Sequence, residues 1–256
     1  MYLPSFSLND KLAVVTGAGR GIGRALSIGL AEAGADVVLL SRTRNDLEDT
    51  ASEIENLGRR AYIIPTDITS REEIRKAISY IEDQNRSIDI LINNAGMNIR
   101  STALEVTDQE WQTIMDTNLK SAFMMSQEAG KHMMEKDQGK IINIASVAGH
   151  VALRTGVVYA STKAAMIQMT KVLAMEWGKY NINVNSIGPW YFKTPLTAEL
   201  LQNEEYVNDI LAVTPLKRIG ELEELVGPAV FLSSDASNYI TGQTLFVDGG
   251  MTIQGF

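Results

Sequence analysis

The chain has 256 residues, 45% of them apolar, enough for one large α/β domain with a sizeable core. A formal charge of −8 argues against nucleic acid or an anionic membrane as a partner, and the absence of cysteine excludes disulfides, thiolate catalysis and cysteine metal sites. The N-terminus lacks the basic start and apolar stretch of a signal peptide, and no apolar run approaches the roughly 18 residues of a membrane span, so a soluble, cytoplasmic protein is expected.

Short apolar runs alternate with helical patterns from the start. Strands are expected over 12–16, 36–40, 61–65, 88–93, 140–145, 182–187 and 244–247, with helices between them near 21–34, 44–57, 70–85, 107–136, 155–180 and 221–233. Near-continuous apolar strands separated by helices imply a parallel sheet covered on both faces, and right-handed crossovers then give a doubly wound α/β fold. Thr107-Asp-Gln-Glu110 reads as a capping box for the long helix after the fourth strand. No linker, repeat or low-complexity segment divides the chain, so residues 1–256 are expected to form one domain. The one long irregular stretch, 188–216, follows a strand and is expected to cover a ligand at the carboxyl edge of the sheet.

Thr16-Gly-Ala-Gly-Arg-Gly-Ile-Gly23 joins the first strand to the first helix. There Gly17, Gly19, Arg20, Gly21, Ile22 and Gly23 can bring backbone N–H groups and a helix N-terminus against a pyrophosphate. The spacing G-x-x-x-G-x-G differs from the general G-x-G-x-x-G, and its position carries more weight than the pattern. An NAD site would place an acid after the second strand to hold the ribose hydroxyls. Here Ser41-Arg42 occupies that place, and an arginine suits a 2′-phosphate, with Arg20 within reach of the same group. NADP is therefore expected ahead of NAD, the alternative being that both arginines are solvated surface charges. Asp67, followed by Ile68, is placed either to meet the adenine or to cap the next helix. Asn94-Ala95-Gly96 ends the fourth strand with small residues, as close approach to a cofactor or a simple turn requires.

Ser146, Tyr159 and Lys163 can do proton chemistry on an alcohol or ketone. Tyr159 and Lys163 are four apart on a helix and share a face. A free tyrosine has a pKa of about 10, and lowering it by about 3 units requires about 4 kcal/mol of preferential phenolate stabilisation. The Lys163 ammonium and a positive nicotinamide ring are expected to supply it. Ser146 can hold the substrate oxygen, and Asn118 can fix a water linking Lys163 to solvent. The histidines, His132 and His150, are unaccompanied by a ligand cluster, so no metal is expected.

With Val247-Asp-Gly-Gly250 and Pro189, these pieces resemble the short-chain dehydrogenase/reductase family over nearly the whole chain. The resemblance implies a Rossmann fold with a seven-stranded sheet and catalysis by Asn118, Ser146, Tyr159 and Lys163, with Tyr159 as acid/base. It also implies that Lys163 holds the nicotinamide ribose, that Thr194 meets the carboxamide, and that the protein is a homotetramer. Trp190 stands where the family usually has glycine after Pro189, and is expected either to narrow the pocket or stack on substrate, or to point outward. The lid 191–201 is similar to that of gluconate 5-dehydrogenases and related sugar-acid dehydrogenases. The chain as a whole is also similar to 3-oxoacyl-carrier-protein reductases, whose acidic partner would need a basic patch such as Lys131, Lys136 and Lys171. Arg100, His150, Arg154 and Lys193 point to a small anionic substrate. A non-catalytic NADP-binding sensor is the alternative of another class, disfavoured by the intact Tyr159 and Lys163.

Overall fold

A computed structural model describes residues 2–84 and 86–253. Seven strands form one parallel sheet: β1 (Leu12–Thr16), β2 (Asp36–Ser41), β3 (Ala61–Pro65), β4 (Ile90–Asn93), β5 (Gly139–Ile144), β6 (Ile182–Pro189) and β7 (Thr244–Val247). Their order is β3-β2-β1-β4-β5-β6-β7. The chain winds outward from β1 in one direction and from β4 in the other, so the two halves meet at the β1–β4 pair. In a doubly wound sheet the crevice for a ligand opens at that switch point, beyond the carboxyl ends of the strands.

Eight α-helices lie among the described residues: α1 (Gly21–Glu32), α2 (Arg44–Asn56), α3 (Arg71–Asp83), α4 (Asp108–Met115), α5 (Ser121–Glu135), α6 (Val157–Trp177), α7 (Glu204–Ala212) and α8 (Glu223–Ser233). Alternation along the buried strands divides the core. Ala13 and Val15 of β1 face a cluster with Leu26 and Leu30 of α1 and Leu225 and Leu232 of α8. Leu12 and Val14 face the other cluster, with Ile74 of α3, Met125 of α5 and Leu173 of α6.

Several expected elements are altered. The helix expected over 107–136 is broken by a π-turn at Asp116–Lys120 between α4 and α5. The capping box is half formed: Thr107 Oγ1 accepts from Glu110 N at 3.1 Å, while the Glu110 carboxylate takes the Ser101 hydroxyl at 2.8 Å instead of reaching back. The stretch 188–216 is not wholly irregular, since it contains α7, capped by Asn203 Oδ1 on Tyr206 N at 3.0 Å. Asn85, the last residue of the helix expected over 70–85, lies outside the described residues, as do the ends of the 1–256 span. No helix among the described residues is long and apolar enough to cross a membrane.

Candidate active site

The first strand ends in a polar clamp. The Thr16 hydroxyl accepts from Asn94 N and Ala95 N, each at 3.0 Å, and so ties the end of β1 to the end of β4. The Asn94 side chain donates back to Thr16 O at 2.9 Å and Gly17 O at 3.3 Å. Asn94 thus braces the glycine loop, and only its neighbours Ala95 and Gly96 present bare backbone. The clamp leaves no room for a side chain at Gly17 or Gly23. A Cβ on Gly23 would fall 2.1 Å from Gly17 O, and Gly17 itself has φ +66°. Arg20 holds the N-cap position of α1 in extended backbone without a side-chain cap, and the first turn contains no acid. The unspent N–H groups and the positive end of the helix dipole therefore face outward, beside Gly21 and Ile22, as a cradle for an anion. A Cβ on Gly21 would come 3.4 Å from Pro195 Cδ and 3.8 Å from Thr194 Cβ, so the segment after β6 overlies this loop.

Beside the loop, an open groove of about 450 Å³ runs between α1 and α2, lined by Gly19, Arg20, Arg24, Asp46, Asp49 and Glu53 among others. Arg24 is paired with Glu53. Arg20 and Arg42 are exposed, and their side chains make no hydrogen bond or ion pair among the described residues. The Arg42 charge reaches Asp67, whose carboxyl is held below its ordinary range chiefly by two bonds from Thr69, at 2.9 Å from N and 2.7 Å from Oγ1. The cap of α3 is Ser70, not Asp67. Ile68 is buried next to it, and Ser41, at the end of β2, is half-buried.

Ser146 follows β5, and Tyr159 and Lys163 stand on the first two turns of α6. Lys163 is 3% exposed. Its Nζ donates to Ile144 O at 2.6 Å and lies 5.6 Å from the centre of the Tyr159 ring. Burial lowers Lys163 to about 8. The depression expected of the Tyr159 phenol rests on Lys163 together with a positive nicotinamide ring, and Lys163 alone does not produce it. Burial pushes the phenol up, and the Ser146 hydroxyl and the Arg100 charge only partly pull it back. The reason is geometric: the ammonium is turned to a backbone carbonyl and not to the phenol oxygen. Asn118, fully buried in the π-turn, has its amide committed. Nδ2 donates to Met97 O at 2.9 Å and Thr162 Oγ1 at 3.2 Å, and Oδ1 accepts from Met97 N at 2.8 Å. That side chain fastens the loop after β4 to α6 and keeps no free donor for a water. The one-residue excess of a π-turn is a common device at functional sites.

Pro189 is buried at the end of β6, pairing with Val247. Trp190 does not point outward: it is half-buried and lines a small cavity of about 100 Å³ with Tyr191 and Phe192. Its indole N–H is pinned to Thr214 Oγ1 at 3.0 Å and its ring packs edge-on against Tyr191 with centroids 4.5 Å apart. Thr194 is linked to Thr197 through N and Oγ1, each at 3.0 Å. Of the four loop cations, two are neutralised: Arg154 by Asp209 at 2.8 Å, and Lys193 by Glu221. The exposed His150 packs on Phe246 at 5.1 Å. Arg100 has no acid partner among the described residues, and its charge acts on both Tyr159 and Tyr191. Sequence reasoning missed Thr16, Thr162, Tyr191 and Tyr206. The signal for Thr16 was a buried polar residue closing an apolar strand.

This arrangement can seat an anionic dinucleotide at the switch point and deliver a proton beside it. Comparison with known proteins agrees. A family model described as enoyl-(acyl carrier protein) reductase matches residues 17–252. Gluconate 5-dehydrogenase of Gluconobacter oxydans (strain 621H) is 41% identical over 249 residues, spanning 97% of this chain and 97% of that protein. An NAD-dependent glycerol dehydrogenase of Listeria innocua is also 41% identical, over 97% of this chain and 96% of its own. The crystal structure of a gluconate 5-dehydrogenase from Burkholderia cenocepacia J2315 in complex with NADP and tartrate superposes with a TM-score of 0.96 at 38% identity, covering 100% of both chains. The chain belongs to the short-chain dehydrogenase/reductase family of oxidoreductases, acting on CH–OH groups.

Proposed function

We propose that this protein interconverts a secondary alcohol and a ketone on a sugar acid, using NADP(H). The observation that carries the reading is the facing of two sites across the sheet edge. On one side lie an uncapped helix N-terminus and two unspent arginines, and on the other Ser146, Tyr159 and buried Lys163. The substrate class is supported by the gluconate 5-dehydrogenases it resembles and by Arg100, which, unlike the loop cations Arg154 and Lys193, has no acid partner among the described residues and whose charge acts on Tyr159.

Gly17, Gly19, Gly21, Ile22 and Gly23 hold the pyrophosphate against the α1 N-terminus, the glycines letting the loop pack closely on Asn94, Asp46 and Pro195. Arg20, Arg42 and Ser41 hold the phosphorylated ribose, since a guanidinium fork fits a phosphate. Asp67 and Ile68 meet the adenine. Ala95 and Gly96, with Asn94 bracing them, and Pro189 and Thr194 enclose the nicotinamide end. When bound, the cofactor would supply the hydride as NADPH or accept it as NADP+. Tyr159 gives its proton to the ketone oxygen, or takes one from the alcohol, and Ser146 holds that oxygen by a hydrogen bond. Lys163 holds the nicotinamide ribose, with its Nζ 5.6 Å from the centre of the Tyr159 ring, while the Ser146 hydroxyl and the Arg100 charge oppose the burial that favours the neutral phenol. Asn118 positions α6 and the loop after β4 through Thr162 and Met97.

Carrier-protein reduction is less well supported. Lys131 is paired with Glu128 at 2.5 Å and Lys136 lies 3.7 Å from Asp89, so two of the three candidate patch lysines are already answered by acids. A homotetramer is supported by exposed Trp111 and Phe123 on α4 and α5, and by exposed Val172 and Met175 on α6. We place the protein in the cytoplasm, as a single domain. The test is a nicotinamide absorbance assay with NADPH and NADH against keto sugar acids, gluconate, glycerol, butanedione and an acetoacetyl thioester. Turnover of a keto sugar acid with NADPH supports the reading. Turnover of the thioester alone moves the protein to the acyl reductases, and tight NADPH binding with no turnover of any substrate moves it to a sensor.

A further inference from the structure

Two tyrosines at the substrate side are unused by the mechanism above. Tyr191 leaves the carboxyl end of β6, the neighbour of β5, whose own end carries Ser146. Tyr206 lies in the first turn of α7. Their hydroxyls meet at 2.5 Å, and their rings stand edge-on with centroids 5.9 Å apart. Both are half-buried. The pair is braced from two sides. Trp190, pinned by Thr214, supports Tyr191. Arg154, from the stretch between Ser146 and Tyr159, lies 5.8 Å over the Tyr206 ring and grips Asp209 one turn further along α7.

Ring packing alone would be served equally by phenylalanine, so the hydroxyls need their own explanation. Each phenol has one proton and lone pairs to accept with. When one donates to the other, the acceptor's proton is unspent, and lone pairs remain beside it. That combination complements an alcohol hydroxyl, which also both gives and takes. Burial and the mutual bond push the Tyr191 phenol well above its ordinary value, so it stays protonated and does not compete with Tyr159 for the proton. The Arg100 charge reaches both Tyr159 and Tyr191, which sets the pair on the side where an anionic substrate would lie.

We propose that the Tyr191–Tyr206 hydroxyl pair is a recognition subsite for a substrate hydroxyl away from the reacting carbon, and that it selects polyhydroxylated ketones over plain ones. The inference rests on the sugar-acid reading. Tyr206→Phe keeps the ring, its edge packing and the Arg154 stack, and removes only the hydroxyl. The expected result is a KM for 5-ketogluconate raised about five- to tenfold, with kcat little changed. Butanedione kinetics and NADPH affinity should be unaltered. Tyr191→Phe should behave alike, and the double variant should lose about as much as either single one, because the pair acts as a unit. An unchanged KM for the keto sugar acid, an equal loss on butanedione, or losses that multiply in the double variant would each overturn the proposal. If unsubstituted protein reduces butanedione but no keto sugar acid, the sugar-acid reading itself fails, and the inference with it, before any variant is made.

Discussion

Lys163 carries a cost that can be read from the pH dependence of stability. It is 3% exposed, and burial lowers its pKa from 10.5 to about 8. The unfolded chain therefore holds a proton that the folded chain has lost between about pH 8 and pH 10.5. Stability rises with pH wherever the unfolded state binds more protons, so the penalty is fully present below pH 8 and is relieved toward pH 10.5. At about 1.4 kcal/mol per unit, the full penalty is about 3 kcal/mol, and about 2 kcal/mol of it is relieved between about pH 7.5 and 9.5. Lys163→Met removes the charge but deprives Ile144 O of its Nζ donor, a loss of about 1–3 kcal/mol. These effects nearly cancel at neutral pH, so absolute stability is a poor test and the slope is a good one. Denaturant unfolding at fixed protein concentration, from about pH 7.5 to 9.5, should show the unsubstituted protein gaining about 2 kcal/mol more than the variant. Lys140, also lowered to about 8, gives both proteins a common background slope of the same sign. The range stops short of pH 10 because the raised phenols of Tyr159 and Tyr191 remove stability above it. Equal slopes in the two proteins would show that the Lys163 ammonium is not desolvated in the fold, and the account of its burial would be wrong.

Tyr159→Phe should reduce kcat by about 10²–10⁴-fold, while equilibrium binding of NADPH, followed by fluorescence, changes little; substantial residual turnover would remove Tyr159 from the acid/base role. Arg42→Asp should weaken NADPH relative to NADH by about 1.5–3 kcal/mol, read as the ratio of kcat/KM for the two cofactors. An unmoved ratio would make Arg42 a plain surface charge.

The strands were legible nearly to the residue because a covered parallel sheet leaves short apolar runs, fully buried in 12–16 and still apolar in the half-buried edge strands 61–65 and 244–247. The glycine loop and the proton group were legible because chemistry confines residue types there. The π-turn was not, since apolar periodicity reports a helix and the extra residue is held by a distant partner, Met97. Helix α7 did carry a signal that went unread: Asn203 as cap, Glu204 and Glu205 in the first turn, then Val207, Ile210 and Leu211 at helical spacing. The substrate-side charges misled because Asp209 and Glu221, which neutralise Arg154 and Lys193, lie 55 and 28 residues away in sequence. The orientation of Lys163 was hidden for a similar reason, as no pattern reveals that a lysine one turn from Tyr159 spends its proton on Ile144 O.

The π-turn at Asp116–Lys120 also sets a phase. Each residue of an α-helix advances the side-chain direction by roughly 100°. The widened turn takes up its one extra residue locally, but deleting a residue from the regular helix between Ser121 and Met124 would swing everything downstream by that angle. Met125, Ala129 and Met133, which now face the sheet from α5, would rotate out of the core. Asn118 and the buried stripe of α5 are thus indexed to one another like teeth on a single gear. In this segment, changes of residue type can be tolerated far more readily than changes of length.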